Sequence, residues 1–511
     1  MIQYHMYEIE IQEMPPEVSQ VEVMLYGEFT CGETTITVPG FYAGNGIYKI
    51  RFLPQNTGLY RWKIKGIFEG EGQEECFSSG DEIHHGLARA DGTSIRFEDG
   101  ELYRPFGTTV YGLIHQKKDL IVQTIDSILH SPFDKVRICL FPKSYVYNLN
   151  EPDEFPFVKN ELGEFDYEYP YFPFWEKLEK IIAFFEEHKI QVDLILFHPY
   201  DRWGFSKMNR HQYTLYLNYL LRRLAAFPNV WWSLANEYDS MDCFDDGDWE
   251  AIEKQLDNLD PYGHMRSCHF MLQPYNYSKP GITHCSAQGD DVSNVMELRN
   301  KYHKPVIYDE FGYEGNLRFP WGNLSAYEMV YRYWQICTRG GYASHGETFW
   351  NPEETLWWSK GGTLIGKSPA RIGFLKEILN SLPEALEPID TRYMTPQILE
   401  EIRQGLHPEM VTDYTKALLR IHVKKAYQII EQNEKYAAIY AGHCGEDAYL
   451  FYYGRRCTRE ADILLPQTAT YVIYIIDTWE MTKTENMLNA SGQIKVILPG
   501  KEYIAVLAVK Q

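Results

Sequence analysis

Between residues 101 and 385 the chain repeats one pattern, a short and almost wholly apolar run followed by a stretch of helical period. Eight such runs can be counted: YRPFGTTVYG, KVRICLFP, QVDLILFHP, VWWSLANE, MRSCHFML, ITHCSAQG, PVIYDEFG and SHGETFW. Short runs with little polar alternation are what parallel strands require, because helices cover both of their faces. In the segment FWEKLEKIIAFFEEH, Trp175, Leu178, Ile182 and Phe185 share one helical face. In 210–226, Leu217, Leu220, Leu221 and Leu224 recur at i, i+3, i+4 and i+7. Eight strand–helix units over nearly 300 residues predict an α/β fold, the (β/α)8 TIM barrel. The competing doubly wound sheet needs a glycine-rich phosphate loop after its first strand, and none is present.

The flanks follow another period. Residues 1–78 alternate apolar and polar positions in short runs such as VEVMLYGEF and GIYKIRFLP, separated by Gly, Pro and Asn, which predicts a small N-terminal Ig-like β-sandwich. The stretch 79–100 reads as a linker into the barrel, whose domain we delimit at 79–395. From 396 to 511 a helical connector leads into β-patterned runs such as ATYVIYIIDTW and YIAVLAVK, a C-terminal β-sandwich.

The formal charge of −22 argues against nucleic acid and anionic membrane as partners, since both would be repelled. A neutral glycoside or oligosaccharide is the natural ligand class for a chain with 39 tyrosines and 15% aromatic residues, although β-rich cores contain the same excess. No secretory signal or bilayer-spanning run is visible. The nine cysteines form no CxxC, and read as free thiols of a cytoplasmic protein.

In a barrel of this kind, polar residues that follow a strand's apolar core sit at the C-terminal rim, where sites are built. Two carboxylates each follow a strongly apolar run, Glu237 after the fourth and Glu310 after the seventh. Across a barrel mouth they can face each other. Glycoside hydrolysis needs such a pair, one carboxylic acid for the leaving oxygen and one carboxylate for the anomeric carbon or for water.

SLANE followed 73 residues later by YDEFG resembles the signature pair of the clan A retaining glycoside hydrolases, the cellulase-like family five superfamily. The whole chain resembles proteins in which N- and C-terminal β domains flank an apiosidase-like catalytic barrel. The resemblance implies that Glu237 is the acid/base and Glu310 the nucleophile. It implies further that Asn236 binds the sugar 2-hydroxyl and that Arg137, ending the second strand, steadies the nucleophile. Arg137 beside Glu310 is expected to depress the nucleophile's pKa, while Glu237 must hold a raised one to act as an acid.

His198, His284 and His345 also end strands and are read as sugar-binding or core residues. None of them, nor His269, sits in an HxH or HExxH spacing, so no metal and no organic cofactor is expected. Glu347 binds sugar hydroxyls or pairs with an arginine. Trp350 is expected as a platform under the sugar ring, with Trp203, Trp321, Trp357 and Trp358 as lesser candidates. Tyr275 or Tyr277 is a candidate partner of the nucleophile. The acidic run 239–250 lacks an EF-hand pattern and reads as a solvated loop. These readings converge on a retaining glycoside hydrolase, exo-acting on oligosaccharides. The alternative is a non-catalytic carbohydrate-binding protein that keeps the barrel as scaffold. The terminal β domains are free to bind sugar, shape the pocket or make homo-oligomer contacts.

Overall fold

The computed structural model describes residues 1–78, 84–437 and 439–511. The chain divides into two compact units, one holding residues 1–290, 297–329 and 342–373, the other holding 291–296, 330–341 and 374–511.

In the first unit, the barrel strands are β1 (Phe106–Thr109), β2 (Lys135–Cys139), β3 (Gln191–Phe197), β4 (Val230–Ala235), β5 (Arg266–Ser267), β6 (Cys285–Gln288), β7 (Val306–Glu310) and β8 (Tyr342–His345). Seven fall inside the predicted runs; the eighth starts two residues before SHGETFW and shares only Ser344 and His345 with it. They pair in parallel around a ring that runs from β5 through β4, β3, β2, β1, β8 and β7 to β6. No ladder joins β5 to β6; there the Thr283 amide donates to Arg266 O (2.8 Å) and the Ser267 hydroxyl to His284 O (2.6 Å). The predicted fifth strand pairs as a ladder over two residues only, with His269 still bonded through its amide to Ala235 O (3.1 Å).

Every residue of β2, β3 and β4 is buried, as strands covered on both faces must be. The covering helices include α1 (Lys118–Leu129), α2 (Phe172–Glu187), α3 (Arg210–Leu224) and α4 (Asp246–Leu259). On α2 the predicted stripe is the buried one, and a proline in its first turn suits the helix start. The start of α3 is a capping box between Asn209 and Gln212. Another lies between Asp245 and Asp248, so the acidic run 239–250 is not a plain solvated loop: its second half opens α4. Asp239 accepts hydrogen bonds from the amides of Met271, Leu272 and Gln273.

The middle of the barrel is charged rather than aliphatic. Lys135 donates to Asp193 (2.7 Å) and Asp309 (3.1 Å), and all three are buried. Asp309 also accepts from Ser286 (2.6 Å) and Ser344 (3.2 Å). Asp309, one residue before Glu310, thus pairs ionically inside the barrel.

The N-terminal strands form a three-stranded and a four-stranded antiparallel sheet, with Phe29 stacked on Phe52 between them (4.1 Å). Arg51 of this region reaches Glu179 on α2, which also accepts from Arg223 on α3. The expected linker over 79–100 is partly ordered as a hairpin, Ala88–Asp91 against Ser94–Phe97, while 79–83 lie outside the described residues.

The second unit holds three helices, Pro396–Arg403, Asp413–Arg420 and Val423–Ala437, the first two of them packed through Leu399, Ile402 and Leu418 with Ile430 of the third. It also holds a six-stranded antiparallel sheet and a two-stranded one, with Ile463, Tyr471, Ile473, Val496 and Val506 in their shared core. Among the described residues no helix is long and apolar enough to cross a membrane.

Candidate active site

At the C-terminal ends of the barrel strands lies a cavity of about 300 Å³ lined by both expected carboxylates. Glu310 is the last residue of β7. Glu237 sits two residues beyond β4 with φ 55° and ψ 57°, a left-handed conformation that non-glycine residues adopt at a cost. That turn swings the side chain towards the cavity instead of continuing the strand's alternation. Its amide faces Nδ1 of His269 at 3.3 Å.

Two tyrosines divide the carboxylates between them. The Tyr111 hydroxyl donates to Oε1 of Glu310 and lies 3.0 Å from Oδ1 of Asn236. The Tyr200 hydroxyl donates to Oε2 of Glu237, whose Oε1 lies 3.4 Å from Nε2 of Gln288. The Lys143 ammonium lies over both tyrosine rings, 3.6 Å from the Tyr111 centroid and 4.5 Å from that of Tyr200. Tyr313, Trp321 and Trp358 form the aromatic wall, with ring centroids 5.1 to 6.2 Å apart.

Burial pushes the Glu310 carboxyl up to about 7, and the neighbouring Glu237 charge adds to the rise, while Lys143, Arg137 and the Tyr111 hydroxyl oppose it. This corrects the expectation that Arg137 would hold Glu310 low. The Arg137 guanidinium is fully buried under the cavity floor and faces Asp309 (3.7 Å) and Asp193 (3.9 Å), so its charge is largely spent on them. Because the carboxylates are close, the raised value belongs to the pair. Tyr111 and Tyr200 have raised pKa values, chiefly through burial, and remain neutral donors.

Of the predicted binding residues Asn236 lines the cavity, as do Trp321 and Trp358 of the lesser platform candidates; Arg137, His198, His284, His345, Glu347 and Trp350 do not. His198 is buried with Nε2 on Phe141 O (3.0 Å), and His284 is buried with Nδ1 on the Thr283 hydroxyl (3.0 Å). Burial lowers both, to about 4 and about 3, so they are neutral core imidazoles. His345 and Glu347 are buried beside Glu314 in a separate cluster, and among the described residues Glu347 has no arginine partner. Trp350 is 52% exposed with its amide held by Asn316, and it is Trp358 and Trp321 that line the cavity. Tyr277 bonds to main-chain carbonyls of Cys268 and Ser286, and Tyr275 to Glu253; the nucleophile candidate's partner is Tyr111.

The common reason is depth. Reading the polar residue after an apolar run does not say how far the strand's end lies below the rim. At β2 the chain continues upward, so that Lys143, not Arg137, reaches the cavity, and β8 is followed by twelve more residues before Trp358. Tyr111 and Tyr200 follow β1 and β3 in GTTVYG and FHPY, a signal readable in principle but lost among 39 tyrosines.

Residues 136–349 match the family described as apiosidase-like, catalytic domain. Residues 1–66 and 436–508 match two domains of unknown function, DUF5060 and DUF5605. No curated protein sequence matches the chain. A crystal structure of a Bacteroides vulgatus ATCC 8482 protein, provisionally assigned as a glycoside hydrolase, is 29% identical, covers 100% of this chain and 99% of its own, and superposes with a TM-score of 0.85. A family 5 glycoside hydrolase from the same organism is 13% identical, covers 83% of this chain and 94% of its own, and has a TM-score of 0.59, which shows a shared fold. Residues 136–349 thus resemble an apiosidase-like catalytic domain, on a (β/α)8 fold shared with a family 5 glycoside hydrolase, and the regions at either end resemble two further domains.

Proposed function

We propose that the protein is a retaining glycoside hydrolase that cleaves O-glycosidic bonds by double displacement, with Glu310 as nucleophile and Glu237 as acid/base. The observation that carries this reading is the cavity in which both glutamates are presented, each held by its own tyrosine hydroxyl. Two carboxylates that repel each other's charge, as Glu237 does in raising Glu310, ionise in two steps and hold one proton between them over the pH range that separates the steps. One proton is the count the first step requires, an ionised nucleophile and a protonated acid. Glu310 attacks the anomeric carbon as Glu237 protonates the departing oxygen. The glycosyl ester removes the charge on Glu310, and Glu237, now ionised, takes a proton from water in the second step.

Asn236, fixed by the Tyr111 hydroxyl, is positioned for the sugar 2-hydroxyl, and Trp358 with Trp321 offers an apolar face to the ring. A cavity of about 300 Å³ lies at the small end for ligand sites and favours exo action on oligosaccharides or small glycosides. The nine free cysteines, six of them buried, favour a reducing, cytoplasmic setting. Arg137, His198, His284, His345 and Glu347 support the site from below or beside it and do not touch substrate.

The test is a screen of aryl glycosides with wild type, Glu310→Ala and Glu237→Ala, followed by NMR of the first-formed anomer. Turnover of one sugar type with retained configuration, lost in Glu310→Ala, is expected. An inverted product would remove the double displacement. Binding without turnover in wild type would favour the non-catalytic alternative.

A further inference from the structure

Beyond the ends of β7 and β8 the chain makes one more parallel contact, in which Glu314–Gly315 pairs with Glu347–Thr348 and sets Glu314 directly opposite Glu347. Both glutamates are buried, 3% and 1% exposed, and among the described residues neither has a lysine or arginine partner. Two adjacent carboxylates in a dry interior need compensating charge. Part of it comes from the 365–368 loop. The amides of Ile365 and Gly366 donate to Glu347 (2.9 and 3.0 Å), and those of Lys367 and Ser368 to Glu314 (2.9 and 3.0 Å), with the Ser368 hydroxyl a fifth donor. Two carboxylates offer roughly eight acceptor positions, so five donors leave several unused.

Glu347 Oε1 and Glu314 Oε2 converge on one point, since a Cβ at Gly366 would lie 2.5 Å from each. The third group there is His345. Its ring is fully buried and stacked on Phe133, neither ring nitrogen has a hydrogen-bond partner, and Nε2 lies 3.8 Å from Glu347 Oε1. That gap is too long for a hydrogen bond and suits an ion ligated by both atoms. One ligand atom from each of the three side chains falls within 4.8 Å of the others.

We propose that Glu314, His345 and Glu347 form a divalent cation site that fastens the 365–368 loop to the ends of β7 and β8. A neutral imidazole with two carboxylates balances a 2+ ion, and the mixed nitrogen–oxygen set selects Zn²⁺ or Mn²⁺ over Ca²⁺ and Mg²⁺. The four amides then serve as the outer shell that orients the carboxylates. The site is structural: it takes no part in bond cleavage, but it adjoins Tyr313, which lines the catalytic cavity.

The test uses the full chain after chelator dialysis. Zn²⁺, Mn²⁺, Ca²⁺ and Mg²⁺ are each added singly, and bound metal per chain is counted by plasma mass spectrometry alongside the thermal unfolding midpoint. One equivalent of Zn²⁺ or Mn²⁺ with a raised midpoint is expected in wild type, and both should be lost in His345→Gln and Glu347→Gln. Should those variants fail to fold, Co²⁺-loaded wild type reports directly: visible bands of a nitrogen-ligated ion support the site, and a spectrum of aqueous Co²⁺ refutes it. Wild type that takes up no cation, or whose midpoint is the same with every cation, would overturn the proposal and leave a shared proton as the compensation.

Discussion

Removing a single hydroxyl, by Tyr111→Phe, tests the electrostatic design of the site. In the folded protein this hydroxyl donates to Glu310 and orients Asn236, and the ring is fully buried, so phenylalanine fills the same space. A hydrogen bond to a charged group contributes about 1.5–3 kcal/mol. The bond favours the ionised form of Glu310, so its loss must raise the pKa at which the pair first ionises. At 1.36 kcal/mol per unit, the rise is about 1–2 units. The acid limb of kcat/KM against pH, measured with an aryl glycoside, should therefore move upward by that amount. At the optimum kcat/KM should fall about 10- to 150-fold. A variant with an unmoved acid limb and kcat/KM within twofold of wild type would refute the assignment of Tyr111 as the donor to the nucleophile.

Other substitutions probe the remaining parts. Lys143→Met removes a cation that opposes the rise on Glu310, so its acid limb should also move to higher pH; an unchanged pH profile would show that the ammonium does not act on the pair. Trp358→Ala should raise KM about tenfold through lost apolar contact worth about 1.5 kcal/mol, whereas Trp350→Ala, at an exposed position, should leave KM within about twofold in the same assay. Glu179→Gln leaves the buried Arg223 without its counter-charge and Arg51 with Glu8 alone, and should cost about 3–5 kcal/mol in denaturant unfolding. In the wild type those arginines offset the burial of Glu179 and hold its carboxyl at about 2, below the usual 4.5. Its contribution is therefore full above 4.5 and lost as pH falls towards 2. A wild-type stability curve that falls across that window no more steeply than that of Glu179→Gln would contradict this.

The barrel was legible in the sequence because its determinants are local and periodic. Although the cap at Asp245 is hidden inside an acidic run that reads as a loop, apolar runs buried on both faces and stripes at helical spacing act within a few residues of chain. For the same reason Glu237 and Glu310 could be singled out: a carboxylate ending a buried run is costly wherever the chain goes next. What surrounds them was decided by tertiary structure. Whether Arg137 reaches the nucleophile depends on how deep β2 sits and on competition from Asp309, a residue 172 positions away. Whether Trp350 or Trp358 lines the cavity depends on the path of the chain after β8. The direction of the Glu310 pKa shift depends on burial and on the approach of Glu237, neither of which has a local signature. Sequence determines which segments are strands and which groups are expensive to bury; only packing decides which of those groups meet, because a meeting is a property of chain paths and not of any one segment.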